Sequence, residues 1–98
     1  MLVFNRVAIV GVGSIGGSLA LAAREQGVFN HITGIGRTLG NLQKAKELGA
    51  VDDYTIDITE GVRNADLVVV ATPVGAITQI IEKMLPYLKK ESIITDVG

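Results

Sequence analysis

Val7-Ala8-Ile9-Val10-Gly11-Val12-Gly13-Ser14-Ile15-Gly16-Gly17-Ser18-Leu19-Ala20 runs from an apolar strand through Gly-x-Gly-x-x-Gly into an amphipathic helix. Gly11 permits the tight turn out of the strand. Gly13 has no side chain, so a phosphate can approach the backbone. Gly16 lets the helix lie close to the strand. Val12, Ser14 and Ile15 complete the loop. The helix beginning near Ser14 aims its unpaired N–H groups and positive dipole end at an anion. This order builds a seat for a dinucleotide pyrophosphate. A tight strand-to-helix turn that binds nothing is the plain alternative. Gly17 lies outside the motif and reads as a helix-packing residue.

Strand and helix patterns alternate outward from that stretch. Residues 6–10 read as a buried strand. Residues 14–26 read as a helix with Ile15, Leu19, Ala22 and Ala23 on one face, ended by Gly27. Residues 31–36 form a second strand. Thr38 is placed to cap a second helix to about Leu48, with Leu42, Ala45 and Leu48 inward and Gly49 as the stop. Tyr54, Ile56 and Ile58 alternate with polar residues, which predicts a short edge strand over 52–58. Residues 59–64 make one short helical turn. Leu67-Val68-Val69-Val70-Ala71 is continuous rather than alternating, as in a strand buried on both faces. Residues 74–88 carry the clearest helical period (Ile77, Ile80, Ile81, Met84, Leu88), with Pro86 ending or kinking the last turn. Residues 92–95 form the final strand.

This alternation predicts an α/β fold of Rossmann type. The expected form is a doubly wound parallel sheet of about five strands in the order 3-2-1-4-5, with helices on both faces. All 98 residues fit one domain. No internal repeat or linker interrupts them. In a complete enzyme of this class more chain would follow the last strand.

Composition narrows the function. Nine basic and ten acidic side chains give a net charge of −1. No basic patch stands out, so nucleic acid is not an expected partner. The chain has no cysteine and one histidine, so thiolate chemistry is excluded and a metal site is not expected. No apolar run approaches the ~20 residues of a membrane span. The N-terminus lacks a signal-peptide pattern. A cytoplasmic protein without membrane contact is the reading.

In such a sheet, ligands sit beyond the carboxyl ends of the strands, where the strand order reverses. The second strand there usually ends near an acidic residue that binds the adenosine ribose. Here Gly36, Arg37 and Thr38 stand instead. Gly36 makes room for a 2′-phosphate, Arg37 can pair with it, and the Thr38 hydroxyl can add a hydrogen bond. NADP is therefore favoured over NAD; an Arg37 that stacks on adenine or is merely solvated is the alternative. Ala71, Thr72 and Pro73 follow the fourth strand and would lie under the ribose and nicotinamide, although a plain helix start also explains Pro73. His31 is about five residues, or ~16 Å, from the carboxyl edge and lies on the wrong side. Asp66 also precedes its strand. Asp52, Asp53 and Asp57 read as a solvated loop. Asp96 stands at the correct edge without a base or nucleophile beside it. No catalytic constellation can be assembled.

Four stretches taken together resemble the N-terminal NAD(P)-binding domain of prephenate and arogenate dehydrogenases. They are Gly11–Ala20, Lys46-Glu47-Leu48-Gly49-Ala50-Val51-Asp52, Ala65-Asp66-Leu67-Val68-Val69-Val70-Ala71-Thr72-Pro73-Val74 and Thr95-Asp96-Val97-Gly98. The glycine motif is shared with many dehydrogenases; Ala-Thr-Pro-Val-Gly with the terminal Thr-Asp-Val-Gly is more specific. The resemblance implies oxidative decarboxylation of prephenate or arogenate, with hydride transfer to NADP or NAD, in tyrosine biosynthesis. It also implies that the family's serine, histidine and arginine of the reacting site lie after Gly98. A helical C-terminal domain carrying much of a homodimer interface would likewise follow. These 98 residues alone are expected to be inactive. Alternatives are the same domain from another NADP-dependent β-hydroxyacid or imine-reducing dehydrogenase, or a dinucleotide-sensing regulatory module.

Overall fold

A computed structural model describes residues 4–11, 13–72 and 77–97. Five strands form one parallel sheet: β1 (Phe4–Val10), β2 (Phe29–Ile35), β3 (Asp53–Thr55), β4 (Leu67–Val70) and β5 (Ile93–Asp96). Their spatial order is β3-β2-β1-β4-β5, as the alternation of patterns predicts. The helices are α1 (Ser14–Gln26), α2 (Leu39–Glu47), α3 (Ile58–Val62) and α4 (Ile77–Met84).

Central strands β1 and β4 are buried on both faces. Val7, Ile9, Leu67 and Val69 join Ile32 and Leu42 under α1 and α2. Ala8, Val10, Val68 and Val70 join Ile35, Val62 and Met84 under α3 and α4. Each fully buried aliphatic side chain contributes about 1.5–3 kcal/mol. Continuous apolar sequence is what a strand between two helical layers requires.

Several elements depart from the sequence reading. Strand β2 begins at Phe29, two residues early, because Phe29 meets Phe4 edge-on at 6.3 Å and extends the pairing with β1. The buried line of α1 is Gly16, Ala20 and Ala23, while Ala22 is exposed. Small residues face the sheet because the Gly16 contact draws the helix close. Gly17 meets no described neighbour where a Cβ would lie, so it is not a packing residue.

Helix α2 stops at Glu47, and Leu48 is 63% exposed rather than inward. Gly49 takes φ +79°, and the turn hands the core position to Ala50 and Val51. Edge strand β3 keeps only three residues. Ile56 leaves it exposed, and Ile58 enters the core from α3. Pro86 sits in a 3-10 turn, Leu85–Tyr87, that ends α4. Residues 74–76, expected to be helical, lie outside the described residues.

The aspartates do structural tasks that a solvated loop would not. Asp52 accepts the Ile32 N–H at 2.7 Å and pairs with Arg24 at 2.9 Å, tying α1 to the start of β3. Asp57 caps α3 by accepting the Thr59 N–H at 3.0 Å and its hydroxyl at 2.8 Å. Asp66 accepts the Arg6 N–H at 2.9 Å and pairs with Lys89. His31 meets Asp53 at 3.1 Å on the amino side of the sheet, away from the edge that a ligand would use.

Candidate functional site

The carboxyl ends of β1, β2 and β4 hold their loops at one level. The Gly11 N–H donates to the Ile35 carbonyl at 2.7 Å, and the Ala71 N–H to the Val10 carbonyl at 2.8 Å. On the flanks, the Gly36 N–H reaches the Thr55 carbonyl at 3.3 Å and the Val97 N–H the Val70 carbonyl at 3.0 Å. The sheet ladder thus continues one residue into each loop and fixes a rigid shelf.

Three glycines of the first loop differ in what they serve. Gly11 has φ +92°, and a Cβ there would stand 2.8 Å from the Ala71 carbonyl oxygen. Gly16 would carry a Cβ 2.2 Å from the Gly11 carbonyl oxygen. Both are demanded by the chain's own packing. Gly13 is different: it is exposed, its φ of −84° suits any residue, and a Cβ would meet no described atom within 4 Å. Packing among the described residues gives no reason for glycine at this position.

Two helices begin at this shelf without a side-chain cap. Gly13 is the N-cap of α1 and Thr38 that of α2; neither supplies a cap hydrogen bond, and neither helix has an acidic residue in its first turn. Helix α3, whose start has its own Asp57 cap and Glu60 in the first turn, shows the contrast. The Thr38 hydroxyl, expected to cap α2, is therefore uncommitted. Open helix starts leave N–H donors for an anion.

Gly11, Gly13, Gly36, Arg37 and Thr38 line one concavity of about 140 Å³, together with Asn41 and Leu42. A larger cleft of about 590 Å³ continues from Gly11, Gly36 and Arg37 to Thr72, with Ile56, Ile58, Gln79, Ile80 and Lys83 along its walls. Of the sequence-predicted residues, Gly11, Gly13, Gly36, Arg37, Thr38 and Thr72 thus line two concavities that share Gly11, Gly36 and Arg37, whereas Gly16 and Ala71 line neither. A Cβ on Gly36 would press on the Leu42 side chain at 3.3 Å, so this glycine also serves packing. Arg37 is exposed and pairs with no described carboxylate. Thr72 Oγ1 is buried without a partner among the described residues, a state that costs free energy unless something satisfies it. Ala71 is half-buried beside it. Val12 and Pro73 lie outside the described residues, as do the side chains of Ser14 and Ile15.

Asn41, Ile56, Ile58, Gln79, Ile80 and Lys83 were not singled out by sequence reasoning as site residues. Ile58 and Ile80 carry the pattern of core positions, Ile56 that of an edge-strand apolar position, and Asn41, Gln79 and Lys83 that of ordinary surface. A different cleft, about 320 Å³, opens on the amino side between Arg6, His31, Asp53 and Glu60. It is far from the loops at the switch point and shares no residue with the groove. Among the described residues, no cluster of three metal-ligating side chains occurs, and no helix is long and apolar enough to cross a membrane.

Residues 19–98 match the family profile described as prephenate dehydrogenase, nucleotide-binding domain. The chain belongs to that family. A cyclohexadienyl dehydrogenase of Zymomonas mobilis is 37% identical over 98 residues, covering 100% of this chain and 33% of the relative. A prephenate dehydrogenase of Bacillus subtilis is 34% identical, covering 96% of this chain and 26% of the relative. Among solved structures, the prephenate dehydrogenase of A. aeolicus in complex with hydroxyphenyl propionate and NAD+ superposes with a TM-score of 0.88 at 32% identity, over 97% of this chain and 34% of that one. The chain therefore spans about a third of the length of these relatives or less. As a prephenate dehydrogenase nucleotide-binding domain, it contains the groove described above.

Proposed function

We propose that this domain seats a nicotinamide dinucleotide along the groove and prefers NADP to NAD. The pyrophosphate lies over Gly11, Val12, Gly13, Ser14, Ile15 and Gly16. The adenosine 2′-phosphate meets Arg37 and Thr38 beside Gly36. The nicotinamide ribose lies by Ala71, Thr72 and Pro73, where it gives the Thr72 hydroxyl a partner. One observation carries the reading: the uncapped start of α1 at Gly13 opens onto the same concavity as Arg37 and Thr38. The residues present fit the cofactor, since an anion satisfies open helix N–H groups and an unpaired guanidinium together.

The parent protein is proposed to oxidise prephenate or arogenate in tyrosine biosynthesis. A hydride leaves the ring carbinol carbon for the dinucleotide, and the ring carboxylate leaves as CO₂. The family match and the hydroxyphenyl propionate and NAD+ in the A. aeolicus relative's complex support this reading. The domain supplies the hydride acceptor's seat. The groups that orient the substrate belong to sequence outside these 98 residues, in a helical domain that also pairs two subunits in the cytoplasm.

Calorimetric titration of NADP and NAD into the protein tests the cofactor reading. Binding of both, NADP more tightly, is expected. Absence of binding by either would remove the dinucleotide claim, and tighter NAD binding would remove the preference.

A further inference from the structure

Lys83 stands on α4 one turn beyond Ile80, and both line the 590 Å³ cleft that Arg37 also lines. Ile56, Ile58 and Ile80 give the same cleft an apolar lining. Ile56 is 59% exposed, and a flat ring lying in the cleft would remove part of that surface from water. The ion pairs among the described residues involve Arg24, His31 and Lys89; Arg37 and Lys83 have none.

The Asp57 carboxylate lies close enough to Lys83 to interact through space. Asp57 at the N-cap of α3 is held below the usual carboxylate range by the Thr59 hydroxyl, then by backbone N–H groups and the Lys83 charge. Asp57 is already occupied by its cap bonds, so it attracts Lys83 without binding it closely. Two unpaired cations on one cleft repel each other in the free protein. An anion between them turns that repulsion into attraction.

Resting on the dinucleotide reading above, we propose that Lys83 is a second specificity-determining residue, which from α4 joins Arg37 in clasping the adenosine 2′-phosphate. The phosphate dianion would take a bidentate contact from the guanidinium and a point-charge contact from the ammonium. NAD, which lacks that phosphate, gains nothing from Lys83. Family membership alone does not supply this role, because Lys83 occupies a polar position of an amphipathic helix whose ordinary use is contact with water. A purely structural lysine, complementing the C-terminal end of α4, is the competing account.

The test is calorimetric titration of NADP and of NAD into the wild-type protein and its Arg37→Gln, Lys83→Gln and Asp57→Asn variants, with the thermal midpoint of each. Asn preserves the capping of α3. Lys83→Gln is expected to weaken NADP about fivefold to tenfold and to leave NAD within about twofold. Asp57→Asn is expected to tighten NADP about twofold by freeing Lys83. Equal losses for NADP and NAD, or unchanged NADP affinity in Lys83→Gln while Arg37→Gln still loses it, would overturn the role of Lys83 and spare the dinucleotide reading. Wild-type protein that binds neither cofactor would overturn both.

Discussion

A Cβ on Gly16 would lie 2.2 Å from the carbonyl oxygen of Gly11, a backbone atom with no rotamer by which to escape. The helix and the glycine turn are therefore locked at a spacing that no side chain can enter. Gly16→Ala must push α1 off the sheet or distort the turn. The expected cost is about 2 kcal/mol or more. A chain of this size should then lose roughly 8 °C or more in its thermal midpoint. Thermal unfolding followed by circular dichroism checks this; an unshifted midpoint would mean that the close approach does not exist.

Arg37 is exposed, has no ion pair among the described residues and stands where the second strand of an NAD-preferring domain would carry an acid. Arg37→Asp should invert the cofactor preference. The NADP-to-NAD affinity ratio is expected to fall by about two orders of magnitude, since one favourable charge contact becomes a repulsive one. Competition titration reads the ratio directly. The same ratio in variant and wild type would show that Arg37 does not meet the 2′-phosphate.

Asp52 joins elements that are distant in sequence. Partial burial pushes its carboxyl up, but the Arg24 guanidinium, the Ile32 N–H and nearby positive charge outweigh this and hold it below the usual range. The Lys89 ammonium does the same for Asp66, and the Thr59 hydroxyl for Asp57. A carboxyl whose folded pKa lies below its unfolded value of ~3.9 stabilises the fold at any pH above that value. The contribution is lost as pH falls through the folded pKa. Stability from these three groups is thus expected to be level from about pH 5 upward and to fall below about pH 4. Asp52→Ala should cost about 1–2 kcal/mol at pH 7, after allowance for its partial exposure. Its gap to wild type should narrow toward pH 3. Urea titrations across that range check both points, and a gap independent of pH would contradict the role given to the carboxylate charge.

Met84 is fully buried where α4 meets the sheet, among Val68, Val70 and Val62. It anchors the helix that carries Ile80 and Lys83. Met84→Ala is expected to cost about 2–5 kcal/mol through lost burial and a residual cavity. In a domain this small that is a large share of total stability. Chemical denaturation gives the figure; a cost below about 1 kcal/mol would show that α4 does not depend on this contact.

The sheet order was legible because β1 and β4 are continuous apolar runs between patterns of helical period, which leaves one sensible arrangement for parallel strands. The glycine turn was legible because each of its requirements acts over a few residues. What escaped depends on residues distant in sequence. Arg24 and Asp52 are 28 positions apart, and nothing local in either announces their pairing. Leu48 follows the helical period of α2, yet Gly49 turns the chain and Ala50 and Val51 take the core place. Ile56, Gln79 and Lys83 line the cleft only because α3 and α4 pack on the same face of the sheet. Gly36 stands where a phosphate needs room, and its contact with Leu42 arises only from the way α2 packs on the sheet.

The distinction between Gly13 and its neighbours bears most directly on the dinucleotide claim. Gly11 and Gly16 are needed by the fold, whereas a Cβ on Gly13 would meet no described atom within 4 Å. The decisive measurement is the affinity of NADP for Gly13→Ala by calorimetry, read beside its thermal midpoint. A cofactor pyrophosphate resting on this backbone should make the variant bind roughly tenfold more weakly or worse, with the midpoint lowered only by the roughly 2–6 °C that an alanine N-cap on α1 costs. Unchanged affinity in a well-folded Gly13→Ala protein would contradict the seat assigned to the dinucleotide.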